Sequence, residues 1–203
     1  MINSKNFTAL ILCAGRSSRM GKFKPLLPFG PDNFLSRIIS LYRSVDIEDI
    51  LVVLGHEADR VIPVLDELEA NWIMNENYDR GMFSSIQTGV CHLKKNKQSR
   101  AFFIHPADIP FVHPDTIKSL IAAFNTGKID VCRPCYNGRY GHPPLICNTL
   151  HNEISQFNGE GGLRALLARY TETSWDVYCS DPGILLDIDT PEDYERALKT
   201  FSE

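Results

Sequence analysis

Short apolar runs and helix-period stretches alternate along this chain. Ala9 to Leu12 is a continuous apolar run that stops at Ala14–Gly15, and Ile50 to Leu54 and Ala101 to Ile104 repeat the pattern. Runs this short and this uniformly apolar predict strands covered on both faces. Ile129 to Cys132 predicts another. Between them, Phe34, Ile38, Leu41 and Val45 share one face of a 3.6-residue period, as do Ile117, Leu120, Ile121 and Phe124. A further helix carries Ile86, Val90 and Leu93 inward, with Ser84 or Ser85 in the place of its cap. Near the end of the chain, Thr190–Pro191–Glu192–Asp193 combines a capping hydroxyl, proline at the first helical position and acids in the first turn. Tyr194, Ala197, Leu198 and Phe201 then form the inner face of that helix. Such alternation predicts a single α/β domain over residues 1–203 with a mostly parallel sheet between helical layers. Ligands in such sheets bind outside the carboxyl ends of the strands.

The chain of 203 residues is 43% hydrophobic and 23% charged, the make-up of an ordinary globular domain. No apolar run approaches the roughly 20 residues that span a bilayer, and the N-terminus lacks the form of a secretory signal. Six cysteines are scattered through mostly apolar surroundings, as reduced core thiols are, which predicts a cytoplasmic protein. Cys132–Arg–Pro–Cys135 has C-x-x-C spacing. It has no second pair for a zinc site and is expected at the end of a mid-chain strand beside proline, so these thiols read as structural.

Charge changes the picture at one place. The first 31 residues hold five Lys or Arg and no acid, although the whole chain carries a net charge of -4. Four of these cations, Arg16, Arg19, Lys22 and Lys24, fall in the loop after the first strand. Backbone N–H groups and side-chain cations converge on anions at such a turn, so the loop is a candidate phosphate site. It is not a Walker A loop, because five residues separate Gly15 from Gly21 and Phe23, which cannot ligate a metal, follows Lys22. Nor does it carry the G-x-G-x-x-G of a dinucleotide fold.

Phosphate chemistry usually also needs a divalent cation, and Mg2+ is satisfied by one or two carboxylates plus water. Asp108 ends the apolar stretch Phe102 to Ala107 and precedes Ile109–Pro110, again at a carboxyl edge. Asp187 and Asp189 lie in Ile184–Leu–Leu–Asp–Ile–Asp189, where strand alternation would put both on one face. From residue 181 onward there are seven acids and two bases, part of which is simply a solvated helix.

Ala14–Gly15, Ser17, Arg19–Met20–Gly21, Lys24 and Leu26–Leu27–Pro28 together read A-G-x-S-x-R-M-G-x-x-K-x-L-L-P. This string resembles the opening signature of the nucleotidyltransferases, most closely the molybdopterin cytidylyltransferase branch. Cys13 stands where that family more often has alanine. Asp108–Ile109–Pro110 is similar to the family's metal-binding D-x-P, and Asp187 to Asp193 to its closing D-x-D-T-P-x-D. The resemblance implies a Rossmann-like fold and transfer of CMP from CTP to the phosphate of molybdopterin, with Mg2+ on Asp108 and Asp189. It implies Arg19, Lys24 and Asp108 as catalytic residues. It further implies a nucleotide site of Ala14, Gly15, Arg16, Ser17, Ser18, Arg19, Lys24, Gly81, Ser85 and Asp108. Gly141–His142–Pro143 resembles the loop shaping the acceptor pocket, and Arg164, beside a helix start at Gly161–Gly162, is a candidate grip on the acceptor's phosphate. Asp187 stays open as an alternative to Asp189.

CTP and molybdopterin are the expected small-molecule substrates, and a molybdoenzyme or its insertion chaperone the expected protein partner. Neither nucleic acid nor a membrane is expected. Another nucleotide or acceptor, such as GTP or a sugar phosphate, remains open, as does a non-catalytic carrier of the molybdenum cofactor. The paired acids and loop cations weigh against the carrier.

Overall fold

The computed structural model describes residues 6–16, 20–94 and 99–201. In chain order its strands and helices are β1 (Phe7–Cys13), β2 (Pro28–Phe29), β3 (Asp32–Asn33), α1 (Phe34–Arg43), β4 (Ile50–Leu54), α2 (Ala58–Glu67), β5 (Asn71–Met74), α3 (Met82–Leu93), β6 (Ala101–Pro106), α4 (Pro114–Phe124), β7 (Val131–Tyr136), β8 (Arg139–Tyr140), β9 (Leu145–Cys147), α5 (His151–Gln156), α6 (Gly162–Leu167), β10 (Ser174–Tyr178) and α7 (Pro191–Phe201).

The main sheet runs β10-β7-β9-β6-β1-β4-β5, with β8 paired to β7, while β2 and β3 form a separate hairpin. β1 pairs in parallel with β4 and β6, β4 with β5, and β10 with β7. β9 is antiparallel to both β6 and β7, so it turns against the sheet without reversing β7 and β10. From β1 the chain steps outward through β4 to β5, then returns to the other side of β1 as β6. The strand order reverses at β1, and that reversal opens a crevice beyond the carboxyl ends of β1 and β6.

Strand alternation builds two cores. Ala9, Ile11, Val52, Leu54 and Phe103 face one layer, packed against α1, α2 and α4. Leu10, Leu12, Leu51, Val53, Phe102 and Ile104 face the other, packed against α3, α5 and α6. Both faces of the central strands are therefore dry, which is why they read as unbroken apolar runs. A third cluster of Phe29, Phe34, Phe111, Ile188 and Ala197 seats α7 and the C-terminal segment beside the crevice. This is the expected α/β/α architecture.

Three expectations are corrected. The strand predicted from Ile129 runs Val131–Tyr136, so Cys132 and Cys135 lie inside it and not at its end. Positions i and i+3 of a strand face opposite sides, about 10 Å apart, too far for a disulfide. Residues 184–189 are not a strand. Pro182–Leu185 is a 3-10 turn capped by Asp181, whose carboxylate accepts from the Gly183 N–H at 2.9 Å. Ser84 and Ser85 do not cap α3, because Gly81, at φ 92°, already begins it.

Candidate active site

Two loops emerge side by side at the strand-order reversal. The Ala107 N–H donates to the Leu12 carbonyl at 3.0 Å, tying the loop after β6 to the end of β1. Cys13 lies buried beneath them. Burial and the nearby Asp108 carboxylate push its thiol far above the ordinary range, so it packs as a neutral group and is no nucleophile.

Asp108 is positioned from below by a buried relay. His105 is fully buried, and its Nε2 lies 2.8 Å from the Ile109 carbonyl. A carbonyl only accepts, so Nε2 carries the proton and Nδ1 accepts from the Tyr42 hydroxyl at 2.9 Å. Burial lowers His105 from 6.5 to about 4, keeping the imidazole neutral. Arg37 donates to the Pro110 carbonyl at 3.0 Å with its guanidinium over Phe29 and Phe111, fixing the far end of the loop.

Asp189 arrives from the other end of the chain. The Ile188 N–H donates to the Asp108 carbonyl at 2.9 Å. Just beyond, Thr190 and Asp193 cap α7 reciprocally: the Thr190 N–H donates to the Asp193 carboxylate at 3.0 Å and the Asp193 N–H to the Thr190 hydroxyl at 3.2 Å. Asp189 is thus set by a cap and a backbone tie rather than by strand alternation. Asp187 is exposed and faces elsewhere in the crevice.

Lys24 joins the two acids. Although charged, it is only 7% exposed, and its Nζ donates to Asp108 Oδ2 at 3.3 Å and also to Asp189 Oδ1. Two carboxylates that converge on one ammonium offer the hard oxygen donors a divalent cation takes. Among the described residues no group of three or more His, Cys, Asp or Glu could hold a metal, so this pair would bind one together with water and phosphate oxygens. The residues fit such an ion.

Two cavities meet here. The first, about 340 Å³, is lined by Ala14, Gly15, Arg16, Lys24, Gly81, Ser85 and Asp108 among others. The second, about 260 Å³, is lined by Arg139, Tyr140, Gly141, His142, Asp187 and, again, Asp108. Arg16 crosses the mouth of the first to pair with Asp79 at 2.5 Å, its guanidinium above the Tyr78 ring. Asn75, 1% exposed, donates to Ser84 Oγ at 2.9 Å and to Ser85 Oγ at 3.0 Å behind the cavity wall. In the second cavity, burial lowers the His142 imidazole, opposed by the Asp108 and Asp187 charges, and its Nδ1 has no partner among the described residues.

The crevice thus gathers most of the residues predicted from sequence. Ser17, Ser18 and Arg19 lie outside the described residues. Pro143 is buried, lining neither cavity, and Arg164 on α6 lines neither of them. Gly141 has a structural duty: a Cβ there would meet the Ile184 carbonyl oxygen at 2.3 Å, and the His142 N–H donates to that oxygen at 2.9 Å. Sequence reasoning missed Asn75, Tyr42 and His105. The first reads as turn chemistry, and the other two as ordinary members of apolar segments.

Residues 9–174 match the model of the MobA-like NTP transferase domain. The chain belongs to that family. As a MobA-like NTP transferase it is a nucleotidyltransferase. It is 29% identical over 201 residues to the molybdenum cofactor cytidylyltransferase of Escherichia coli K12, covering 96% of each chain. It is 25% identical over 206 residues to a probable molybdenum cofactor guanylyltransferase of Natranaerobius thermophilus, again covering 96% of each. Its fold matches Rv0371c from Mycobacterium tuberculosis H37Rv with a TM-score of 0.83 at 23% identity, covering 98% of this chain and 100% of that one. A complex of Rv0371c with manganese gives a TM-score of 0.78 at 21% identity, covering 97% and 100%. Among the described residues no helix of this MobA-like chain is long and apolar enough to cross a membrane.

Proposed function

We propose that this nucleotidyltransferase moves CMP from CTP to the phosphate of molybdopterin, releasing pyrophosphate. The observation that carries the reading is Asp108, which lines both cavities and, with Lys24 and Asp189, stands where they meet. One cavity then takes the nucleotide and the other the acceptor, with the reacting phosphorus between them. An acceptor phosphate oxygen forms a bond to the α-phosphorus as the bond from that phosphorus to the β-bridging oxygen breaks, and the electron pair leaves on pyrophosphate. The attacking phosphate is already anionic, so the protein needs no general base.

Asp108 and Asp189 would hold Mg2+, which when bound stabilises negative charge on the phosphate oxygens. The manganese complex of the structural neighbour is in keeping with a divalent ion. Lys24, buried and aimed at the same point, supplies fixed positive charge that the transition state uses more than the ground state does. Arg19 belongs to the same loop and is proposed beside it. Ala14, Gly15, Gly81 and Ser85 wall the base, with Arg16 and the Ser17–Ser18 stretch at the phosphates. Gly141, His142 and Arg164 are proposed for the acceptor, the last from the rim, and Pro143 shapes their loop.

Cytidine is favoured over guanosine because the cytidylyltransferase relative is the more similar of the two reported. The protein is proposed to act as one catalytic domain in the cytoplasm and to pass its product to a molybdoenzyme or insertion chaperone. Incubation with Mg2+, molybdopterin and each of the four nucleoside triphosphates, with pyrophosphate as readout, tests the reading. CTP is expected to give the highest kcat/KM. Equal values, or a preference for GTP, would remove the cytidylyl assignment and leave the nucleotidyltransferase standing. No release with any nucleotide would favour the carrier.

A further inference from the structure

We propose that Asn75 is a specificity-determining residue, fixing Ser85 as a hydrogen-bond donor into the base cavity. The cavity then selects a base that turns a ring nitrogen or carbonyl oxygen toward Ser85. The inference rests on the reading of the first cavity as the nucleotide's base pocket.

The amide of Asn75 is oriented without ambiguity. The Asn77 backbone N–H, which can only donate, lies 3.0 Å from Asn75 Oδ1, and the Thr88 hydroxyl approaches the same oxygen at 3.3 Å. The NH2 group therefore faces Ser84 and Ser85, and both serine oxygens accept from it. Ser84 disposes of its own proton on the Gly81 carbonyl at 2.8 Å or the Asn77 carbonyl at 2.9 Å. Ser85 is different. It is 3% exposed and lines the cavity, and among the described residues no acceptor takes its proton. A flipped amide would set its NH2 group against the Asn77 N–H, so Asn75 cannot turn to accept from Ser85 instead. The hydroxyl of Ser85 is left to donate, and Ser85 lines the cavity.

A donor at that point discriminates by polarity. The O2 and N3 edge of cytosine accepts, whereas guanine held by its N1–H and amino edge would set donor against donor and leave both unpaired, and it pairs with Ser85 only by turning O6, N7 or N3 there. Asn75→Asp keeps the shape but replaces both N–H donors with an acceptor, so Ser85 must donate backward and turn lone pairs to the ligand.

The test is equilibrium binding of CTP and GTP to the full chain by calorimetry, for wild type, Asn75→Asp, Ser85→Ala and the double variant. Asn75→Asp is expected to shrink the CTP-to-GTP affinity ratio about tenfold or more, as Ser85→Ala does, and to shrink it no further in the Ser85→Ala background. Asn75→Ala, which buries no charge, serves in the same cycle if the aspartate variant does not fold. Ser84→Ala is expected to leave the ratio unchanged. A folded Asn75 variant with the wild-type ratio, or an equal loss with and without Ser85, overturns the inference. A wild type that prefers GTP would overturn the cytidine reading alone, because the Asn75–Ser85 coupling is read from the ratio whichever base is favoured.

Discussion

At the scale of single residues, three charged side chains from three distant segments, Lys24, Asp108 and Asp189, converge in the crevice. Asp108→Asn keeps the size and removes the charge that draws Lys24 and that, in the proposed site, would hold a divalent ion. It is expected to lower pyrophosphate release by at least 10²–10³-fold, with Tm by circular dichroism nearly unchanged. Asp189→Asn should behave alike, and Asp187→Asn, exposed and away from Lys24, should cost much less. Near-normal turnover of Asp108→Asn at ordinary Mg2+ would end the two-carboxylate model. Lys24→Ala carries a double expectation. It should reduce kcat by about 10²–10³-fold while changing KM for the nucleotide little. It should also tighten Mn2+ binding in the absence of nucleotide, read by electron paramagnetic resonance, because the ammonium and the ion share the same oxygens. A mutant with only a raised KM would move Lys24 to ground-state binding.

Elements place these residues, and here sequence and structure can be compared. β4 is legible to the residue because Ile50–Leu54 is dry on both faces. β7 is less so, since Arg133 and Pro134 interrupt the apolar run, and Arg133 is accommodated by its ion pair with Asp176 at 2.7 Å and by the Tyr140 ring beneath its guanidinium. The 184–189 segment misleads in the opposite way. Its apolar residues alternate with acids, but among the described residues they pair with no strand, and Ile188 is buried against the α7 cluster instead. Asp189 was legible from the helix cap that follows it, whereas the tie from the neighbouring Ile188 N–H to the Asp108 carbonyl was not. Neither was the Tyr42–His105 relay, because pairings between separate elements leave no local pattern. That relay sets a pH dependence. His105 falls to about 4 in the fold against 6.5 when free, so as pH drops through 6.5 the unfolded chain binds a proton that the native chain refuses. Stability is therefore full above about pH 6.5 and declines toward pH 4, by about 3 kcal/mol at most. Urea midpoints should follow that course, and His105→Gln should flatten it. Gly141→Ala should push the Ile184 turn away from β8 and shift Asp189 with it, raising the Mn2+ concentration needed for half-maximal turnover.

Over the whole molecule, the site is closed by the C-terminal segment of a chain whose first loop opens it. Ending the chain after Cys179 would spare every described strand yet remove Asp189 and the α7 cover of Phe34 and Phe111. Such a truncation should show no transfer and a lower Tm, while residual turnover would mean that the metal site lies elsewhere. The Lys24 bridge bears on the enzyme's life between turnovers. Two neighbouring carboxylates stripped of an ion would ordinarily repel and loosen the loops that carry them. Here Lys24 is an internal counterion that would stay with Asp108 and Asp189 whenever the proposed ion is absent. A preparation treated with EDTA should accordingly keep its melting temperature and regain full rate on adding the divalent salt back, with no refolding lag.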